Sequence, residues 1–115
     1  MYIQRTNLFR EQVFARAGYR CEVCGVPGVD RQGPDARTVG ERVVFLDAHH
    51  ITDRHRFRNG GYIATNGISL CDACHANAER YHATGVAVPG YAPDDFYRLI
   101  ASSFAEASQA DAGMG

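Results

Sequence analysis

The sequence predicts a small α+β domain in which a β-hairpin leads into a helix and further helices flank this unit at both ends. Two β-rich runs, residues 42–46 and 67–70, are separated by polar sequence that contains the Asn-Gly-Gly turn signal of residues 59–61. Residues 26–41 are rich in Gly, Pro, Asp and Arg and predict a loop. One Cys-x-x-Cys pair precedes the hairpin, and a second follows it directly at the start of a helical pattern.

A short helix is predicted before the first cysteine pair. Asn7 can cap it, and the apolar side chains of Phe9, Val13 and Phe14 then fall on one face. Gly18 suits the C-terminal turn of this helix. The pattern predicts a helix that packs one face against the domain.

The second half of the chain predicts two further helices and a tail. Asp72 is placed to cap and begin a helix of about 72–83. A proline followed by two aspartates predicts a last helix of about 93–105. Residues 106–115 predict a flexible tail. A chain of 115 residues is the size of one domain, which we place at residues 1–105.

The four cysteines predict a structural zinc site. Two Cys-x-x-Cys pairs can close one tetrahedral zinc site, which leaves no open coordination position for chemistry. A plain zinc ribbon that only binds a partner and a disulfide pair are the alternatives, but forty-six residues between the pairs are long for a ribbon. No apolar signal peptide follows the first residues, and a reducing compartment favours thiolates. The predicted ligands are Cys21, Cys24, Cys71 and Cys74.

Charge and hydropathy argue against a membrane protein and leave nucleic-acid binding open. The formal net charge is −1, and no apolar run is long enough to span a membrane. Ten of the twelve arginines lie in residues 1–60, and there is no lysine. Arginine suits bidentate contact with phosphate, although coding bias would give the same composition. We expect a cytoplasmic protein of bacterial or phage origin with no membrane partner.

The pair His49-His50 at the end of the first strand is the candidate for chemistry. At an irregular strand end two neighbouring side chains can be splayed for different tasks. One histidine can hold a metal through a neutral ring nitrogen, while the other accepts a proton from water, because histidine titrates near neutrality. A metal with open positions can bind a phosphate oxygen and the leaving 3′ oxygen. An activated water, a Lewis acid on the leaving side and positive charge around the phosphate are the minimum for phosphodiester hydrolysis, which the pair could serve.

Three segments together resemble the HNH endonuclease motif: residues 47–51 (Asp-Ala-His-His-Ile), residues 66–71 (Asn-Gly-Ile-Ser-Leu-Cys) and Cys74-His75. The resemblance covers about residues 8–83. It implies the ββα-metal (His-Me finger) fold, here stabilised by zinc. It also implies a metal-dependent nuclease that hydrolyses DNA and leaves 5′-phosphate and 3′-hydroxyl ends, with RNA open as an alternative substrate.

The resemblance assigns roles to individual residues. It implies that His50 is the general base and that His49 and His75 hold the catalytic metal. It implies that the amide of Asn66 ties the loop after the first strand and so orients His50. A subset of the family has structural zinc ligands, which match the four cysteines.

Some positions near the motif stay open. His49 replaces the carboxylate that is more frequent in the family, which favours Mn²⁺, Ni²⁺, Co²⁺ or Zn²⁺ relative to Mg²⁺, although phosphate oxygens could still recruit Mg²⁺. Glu79, one helical turn beyond His75, is either a third ligand or a solvated acid. His82 is expected at the surface or as a cap. Asp47 either orients a ligating histidine or faces water.

The polar loop after the histidine pair is a candidate phosphate-contacting loop, with Phe57 as its anchor. The chemistry needs a local positive field that the overall charge does not supply. Loops of this composition are also often simply solvated, so both interpretations stay open. The candidate contacts are Arg54, His55, Arg56 and Arg58.

Three functions fit the sequence. The first is a metal-dependent HNH endonuclease that acts on DNA, alone, as a homodimer or within a larger nuclease complex. The second is a non-catalytic zinc module that binds nucleic acid or protein, which needs only the cysteines and arginines. The third keeps the nuclease fold but makes the chain a toxin or a fragment of a larger enzyme.

Overall fold

A computed structural model describes residues 5–33 and 43–114 of the chain. Two predicted features fall partly outside these residues. They are residue 42 of the predicted first strand and residues 34–41 of the predicted loop. Short 3₁₀ turns occur at Arg54–Arg56 and Ala64–Asn66. The helices and strands are α1 (Arg5–Ala17), β1 (Val29–Asp30), β2 (Phe45–His50), β3 (Gly67–Cys71), α2 (Asp72–Thr84), α3 (Pro93–Leu99) and α4 (Phe104–Ala112).

The described strands form a three-stranded sheet in the order β1-β2-β3. β2 and β3 form the predicted antiparallel hairpin, with Leu46 opposite Cys71 and His50 opposite Gly67. The small α+β fold, in which a hairpin leads into α2, is confirmed. β1 falls in the predicted loop and pairs in parallel with the start of β2, Val29 lying opposite Phe45. Two residues are too few to produce a periodic sequence pattern, so this strand escaped prediction.

Helix α1 packs closely against β3. Phe9, Val13 and Phe14 are at most 2% exposed, as their common face predicts. A Cβ atom on Gly67 would lie 2.5 Å from Val13 Cγ2 and 2.6 Å from Phe9 Cε1. Only glycine therefore allows α1 to approach the first residue of β3 this closely.

Two predicted helix caps are wrong. Asn7 lies inside α1, where its side-chain oxygen accepts a hydrogen bond of 2.8 Å from Arg10 Nη1. Cys71 occupies the N-cap position of α2, and Asp72 is the first helical residue. The Asp72 carboxylate instead forms an ion pair with Arg31, because β1 brings this arginine alongside the start of α2.

The predicted last helix and flexible tail are also wrong in outline. The region forms two helices, α3 and α4, and residues 106–112 of the predicted tail are helical. Ser103 caps α4 by accepting a hydrogen bond of 3.1 Å from the Glu106 backbone N–H, and Ala107 and Asp111 are buried. Burial of one face, rather than local propensity, holds this helix in place. The single-domain boundary at residues 1–105 stays a prediction. None of the described helices has the length and apolarity to cross a membrane.

Candidate active site and metal centres

The four cysteines converge where the first pair meets the junction of β3 and α2. Their sulfur atoms lie within 4.8 Å of one another, and Cys24 Sγ is 3.7 Å from Cys71 Sγ. Four sulfurs held about 2.3 Å from one zinc ion would be about 3.8 Å apart. All four thiols are free of disulfides. The cluster thus has the donor atoms and spacing of a zinc site.

The electrostatics of the cysteine cluster are also compatible with a bound cation. Burial opposes ionisation of Cys21, but hydrogen bonds from the backbone N–H groups of Cys24 and its neighbours lower the Cys21 pKa to about 7. Burial and the adjacent thiols raise the pKa of Cys74 to about 12. One thiolate is therefore stabilised, but a second one is strongly disfavoured. A bound divalent cation would remove that repulsion and allow four thiolates to coexist.

The two adjacent histidines point to opposite faces of the sheet, as alternation along a strand requires. His49 is 4% exposed and faces the helices that follow the hairpin. Its ring centroid lies 5.2 Å from that of His75, 5.1 Å from that of His82 and 6.0 Å from that of Phe96. His50 lies on the other face, against α1, with its ring stacked on Phe9 at 4.5 Å.

Two imidazoles and a carboxylate form a second candidate metal site. One ligand atom from each of His49, His75 and Glu79 lies within 4.8 Å of the other two. Glu79 Oε1 is 3.3 Å from His49 Nδ1 and 3.1 Å from His75 Nε2. Ligand atoms about 2.1 Å from a shared cation are about 3.0–3.4 Å apart. The residues predicted to hold the catalytic metal therefore come together with suitable spacing.

Burial and neighbouring charges set the protonation of this site. Burial lowers the pKa of His49 to about 3, and the other histidines add to the effect, so its ring is neutral, as a metal ligand must be. The Asp47 carboxylate, 3.5 Å from His75 Nδ1, raises the pKa of His75. Asp47 also accepts a hydrogen bond of 3.1 Å from Arg31 Nε. Of the two alternatives for Asp47, the geometry favours orientation of a ligating histidine.

His50 lies in an aromatic setting at the edge of the cleft. The ring of Tyr62 meets it edge-on, with centroids 4.9 Å apart, opposite the stacked Phe9. Burial lowers the pKa of His50 to about 4, and the charges of Arg54 and His82 act in the same direction. Its Nε2 atom is buried without a hydrogen-bond partner among the described residues. The ring is therefore neutral and able to accept a proton.

Asn66 ties the loop that follows β2. Its side chain is fully buried, and its Oδ1 atom accepts hydrogen bonds from Thr52 N at 3.0 Å and from Tyr97 Oη at 2.8 Å. Its Nδ2 atom donates to Thr52 O at 3.1 Å and to Gly61 O at 3.3 Å. The expected contact with the loop is present, while the effect on His50 orientation stays a prediction. The link to Tyr97 in α3 could not be read from the motif.

His82, which was predicted at the surface or as a cap, lies beside the candidate metal site. It lies at the cleft rather than at an open surface, with Nε2 3.3 Å from His49 Nε2 and Nδ1 2.5 Å from Asp53 Oδ1. A cation on His49 Nδ1 would leave the proton on His49 Nε2, which can then donate to His82 Nε2. Despite its proximity to Asp53, His82 Nδ1 has no hydrogen-bond partner among the described residues, so the contact with His82 Nε2 is the one that can hold His49 in one tautomer. The i, i+4, i+7 spacing of His75, Glu79 and His82 could have predicted this position, because it places the three side chains on one face of α2.

The basic loop is divided between different surfaces. Arg54 is exposed at the cleft and donates a hydrogen bond of 2.7 Å to Tyr62 Oη, and His55 lines a neighbouring depression. Arg56 instead lies over the ring of Phe104 and lines a different depression from the cleft, and Arg58 is exposed. Phe57, the predicted anchor, is 8% exposed. The cleft has a volume of about 360 Å³ and is lined by Ala48, His49, His50, Asp53, Arg54, His75, Glu79 and His82.

Comparisons with known proteins identify a family for this segment. A sequence model described as HNH endonuclease matches residues 21–80, which is more than half of the chain. The match includes both cysteine pairs, the histidine pair of β2 and the first part of α2. Searches of curated proteins and of solved structures return no match.

Proposed function

The chain belongs to the HNH endonuclease family, and from this premise we propose that it is a metal-dependent endonuclease that hydrolyses phosphodiester bonds in DNA. Family membership indicates a nuclease acting on nucleic acid. The observation that supports the specific proposal best is the cleft itself. There Glu79 Oε1 lies 3.3 Å from His49 Nδ1 and 3.1 Å from His75 Nε2, and His50 borders the same space.

The donor set fits a divalent cation. His49, His75 and Glu79 would hold it, with His82 and Asp47 fixing the orientation of the two imidazoles. When bound, the cation would supply Lewis-acid stabilisation of the scissile phosphate and of the leaving 3′ oxygen. Two neutral nitrogens and one carboxylate suit Mn²⁺, Ni²⁺, Co²⁺ or Zn²⁺, and phosphate oxygens could complete the shell of Mg²⁺. The cysteine cluster would hold a separate structural zinc ion.

His50 acts in this proposal as the general base that takes a proton from the attacking water. Its pKa of about 4 is low for a base in the free protein, and the nearby Arg54 guanidinium contributes to that shift. A phosphate bound at Arg54 would offset this positive charge and raise the basicity of His50 when substrate is present. Asn66 would keep the loop after β2 in place, and Arg54 would contact the phosphate.

The alternative is a non-catalytic zinc module that binds nucleic acid or protein. This reading requires only the cysteine cluster and exposed arginines. It offers no reason for two imidazoles and a carboxylate to share one polar cleft with a neutral histidine. We therefore keep it as the second candidate.

A cleavage assay separates the two candidates. Purified protein is incubated with supercoiled plasmid, single-stranded DNA and RNA in Mg²⁺, Mn²⁺, Ni²⁺ or Zn²⁺. We expect wild-type protein to cleave DNA with at least one of these metals, and His50→Ala to retain zinc and secondary structure but to lose cleavage. Absence of cleavage with every metal, combined with nucleic-acid binding that His50→Ala leaves intact, would support the binding module instead.

A further inference from the structure

A buried carboxylate in α4 holds the glycine turn that lies beside the cleft. Asp111 is 1% exposed. Its two carboxylate oxygens accept hydrogen bonds from the backbone N–H groups of Asn59 at 2.8 Å and Gly61 at 2.7 Å. Asn59 Nδ2 returns a bond of 2.7 Å to the Asp111 carbonyl oxygen. Three bonds thus join the last helix to a turn some fifty residues earlier in the chain.

The turn needs an external partner because its own sequence does not fix it. Gly60 and Gly61 both have positive φ angles, +89° and +70°. Glycine adopts these angles readily but loses more conformational entropy than any other residue when it is fixed. A side chain at Gly61 would meet Phe57 Cδ2 at 2.6 Å and Asn66 Nδ2 at 2.8 Å. The glycines therefore permit this turn conformation, and the hydrogen bonds to the Asp111 carboxylate stabilise it relative to other conformations.

Two routes lead from the turn into the candidate active site. The Gly61 carbonyl accepts a hydrogen bond of 3.3 Å from Asn66 Nδ2, which is the same amide that holds the loop after β2. Tyr62 follows the turn directly. Its ring packs edge-on against His50 at 4.9 Å, and its hydroxyl accepts the 2.7 Å hydrogen bond from Arg54. A shift of the turn would therefore displace the Tyr62 ring that bounds His50 and the group that holds Arg54.

We propose that Asp111 is a positioning residue for phosphodiester cleavage, acting through the glycine turn and Tyr62 on His50 and Arg54. The inference rests on the proposed nuclease function. It assigns to α4, which lies outside the matched segment 21–80, an indirect part in positioning the active site. The candidate metal ligands lie on β2 and α2, so Asp111 should affect the base and the phosphate contact but not the metal.

The test compares Asp111→Asn with Glu106→Gln, an exposed acid on the same helix. The asparagine keeps the size of the side chain but can accept only one of the two backbone bonds. Well below the melting temperature of both variants, we expect Asp111→Asn to lower kcat roughly 10- to 100-fold, as small misplacements of reacting groups do, and to raise KM by a smaller factor because the Arg54 phosphate contact shifts. Zinc content and Mn²⁺ affinity should stay at the wild-type level. Hydrogen exchange of residues 59–66 should become faster, and Glu106→Gln should match wild type throughout.

A purely structural role for Asp111 gives a different result. In that case the melting temperature falls, but kcat per folded molecule and the exchange of residues 59–66 stay as in wild type, and the proposal is overturned. If Asp111→Asn does not fold, Asn59→Ala removes the side-chain bond to the Asp111 carbonyl and retains both backbone donors to the Asp111 carboxylate. A smaller fall in kcat with faster exchange of the turn supports the proposal, and no change in either refutes it. Failure of the nuclease function itself would appear as absent cleavage by wild type.

Discussion

Helix α2 serves two clusters that differ in almost every physical respect. Cys74 completes the sulfur cluster and is 4% exposed, whereas the next residue, His75, points into an open cleft with its side chain 30% exposed. The sulfur cluster has four equivalent donors and no spare position. The histidine cluster combines the buried His49 with Glu79, whose side chain is 55% exposed. In our proposal the sulfur cluster would hold its ion permanently, and the histidine cluster would share its ion with a substrate.

The contrast explains how a small domain can support an open site. A structural ion at the start of α2 would fix the direction from which His75 and Glu79 leave the helix, so these residues would not need to be buried to be well placed. At the histidine cluster, burial of His49 lowers the pKa of its ring and keeps the ring neutral. Changes to the sulfur cluster should therefore affect folding, and changes to the histidine cluster should affect metal binding and catalysis.

The largest effect should come from breaking the sulfur cluster. In Cys71→Ser a hydroxyl replaces one thiolate, and we expect loss of zinc and of the fold. Structural zinc contributes about 10–16 kcal/mol in small metal-dependent domains, against a typical stability of about 5–15 kcal/mol. Far-UV circular dichroism and zinc content measure the outcome. Tyr91→Phe, which removes only the hydroxyl 3.4 Å from Cys74 Sγ, is the matched control and should stay folded. A folded, zinc-free Cys71→Ser protein would show that the cluster is dispensable.

The two neighbours on β2 should separate metal binding from proton transfer. His49→Ala should lose both Mn²⁺ binding and cleavage, because it removes a ligand. His50→Ala should keep Mn²⁺ affinity and lose about 10²- to 10⁴-fold in kcat, the usual contribution of a general base. Titration calorimetry and plasmid cleavage on the same preparations give the comparison. Equal loss of Mn²⁺ affinity in both variants would mean that the opposite faces of β2 do not divide the two roles.

A smaller effect is expected at His82, which touches a candidate ligand without belonging to the ligand group. His82→Ala should weaken Mn²⁺ binding about 10- to 100-fold, the cost typical of losing the partner of a ligating histidine. His82→Gln retains a side-chain oxygen that can accept from His49 and should recover part of this loss. Arg80→Ala, an exposed position on the same helix, is the control. Unaltered Mn²⁺ affinity in His82→Ala would show that the contact between His82 and His49 does not contribute to metal binding.

The smallest effect concerns pH. Asp47 raises the pKa of His75, so protons compete with metal for this ligand to a higher pH than for a free histidine. Mn²⁺ should bind more tightly at pH 8 than at pH 6, and Asp47→Asn should reduce that ratio a few-fold because the protonated ring loses its partner. Asp72→Asn, an exposed carboxylate that also pairs with Arg31, is the control. An unchanged ratio of Mn²⁺ affinities at pH 8 and pH 6 in Asp47→Asn would show that Asp47 does not influence metal binding by His75.

The sequence predicted those parts of the molecule that depend on short spacings. The cysteine pairs, the histidine pair with its strand, and the one-turn separation of His75 and Glu79 are local patterns, and the structure brings each group together. The partners of Asn66 in α3 and of the glycine turn in α4 depend on how distant elements pack. His82 shows where prediction from sequence stops. Its position on the helix could be predicted from spacing, but its proximity to Asp53 depends on tertiary packing. The tail prediction failed because burial of Ala107 and Asp111 stabilises a helix that local composition does not mark.

The difference between the two clusters can be tested on one sample. Wild-type protein is dialysed against EDTA, its zinc is counted, and plasmid cleavage is followed as Mn²⁺ is added back. We expect one zinc ion per chain to remain, cleavage to be absent after dialysis, and activity to return in proportion to the Mn²⁺ bound. Cleavage that survives dialysis undiminished, or that never returns at any Mn²⁺ concentration in a folded protein that still holds its zinc, would contradict an exchangeable catalytic ion at the histidine cluster.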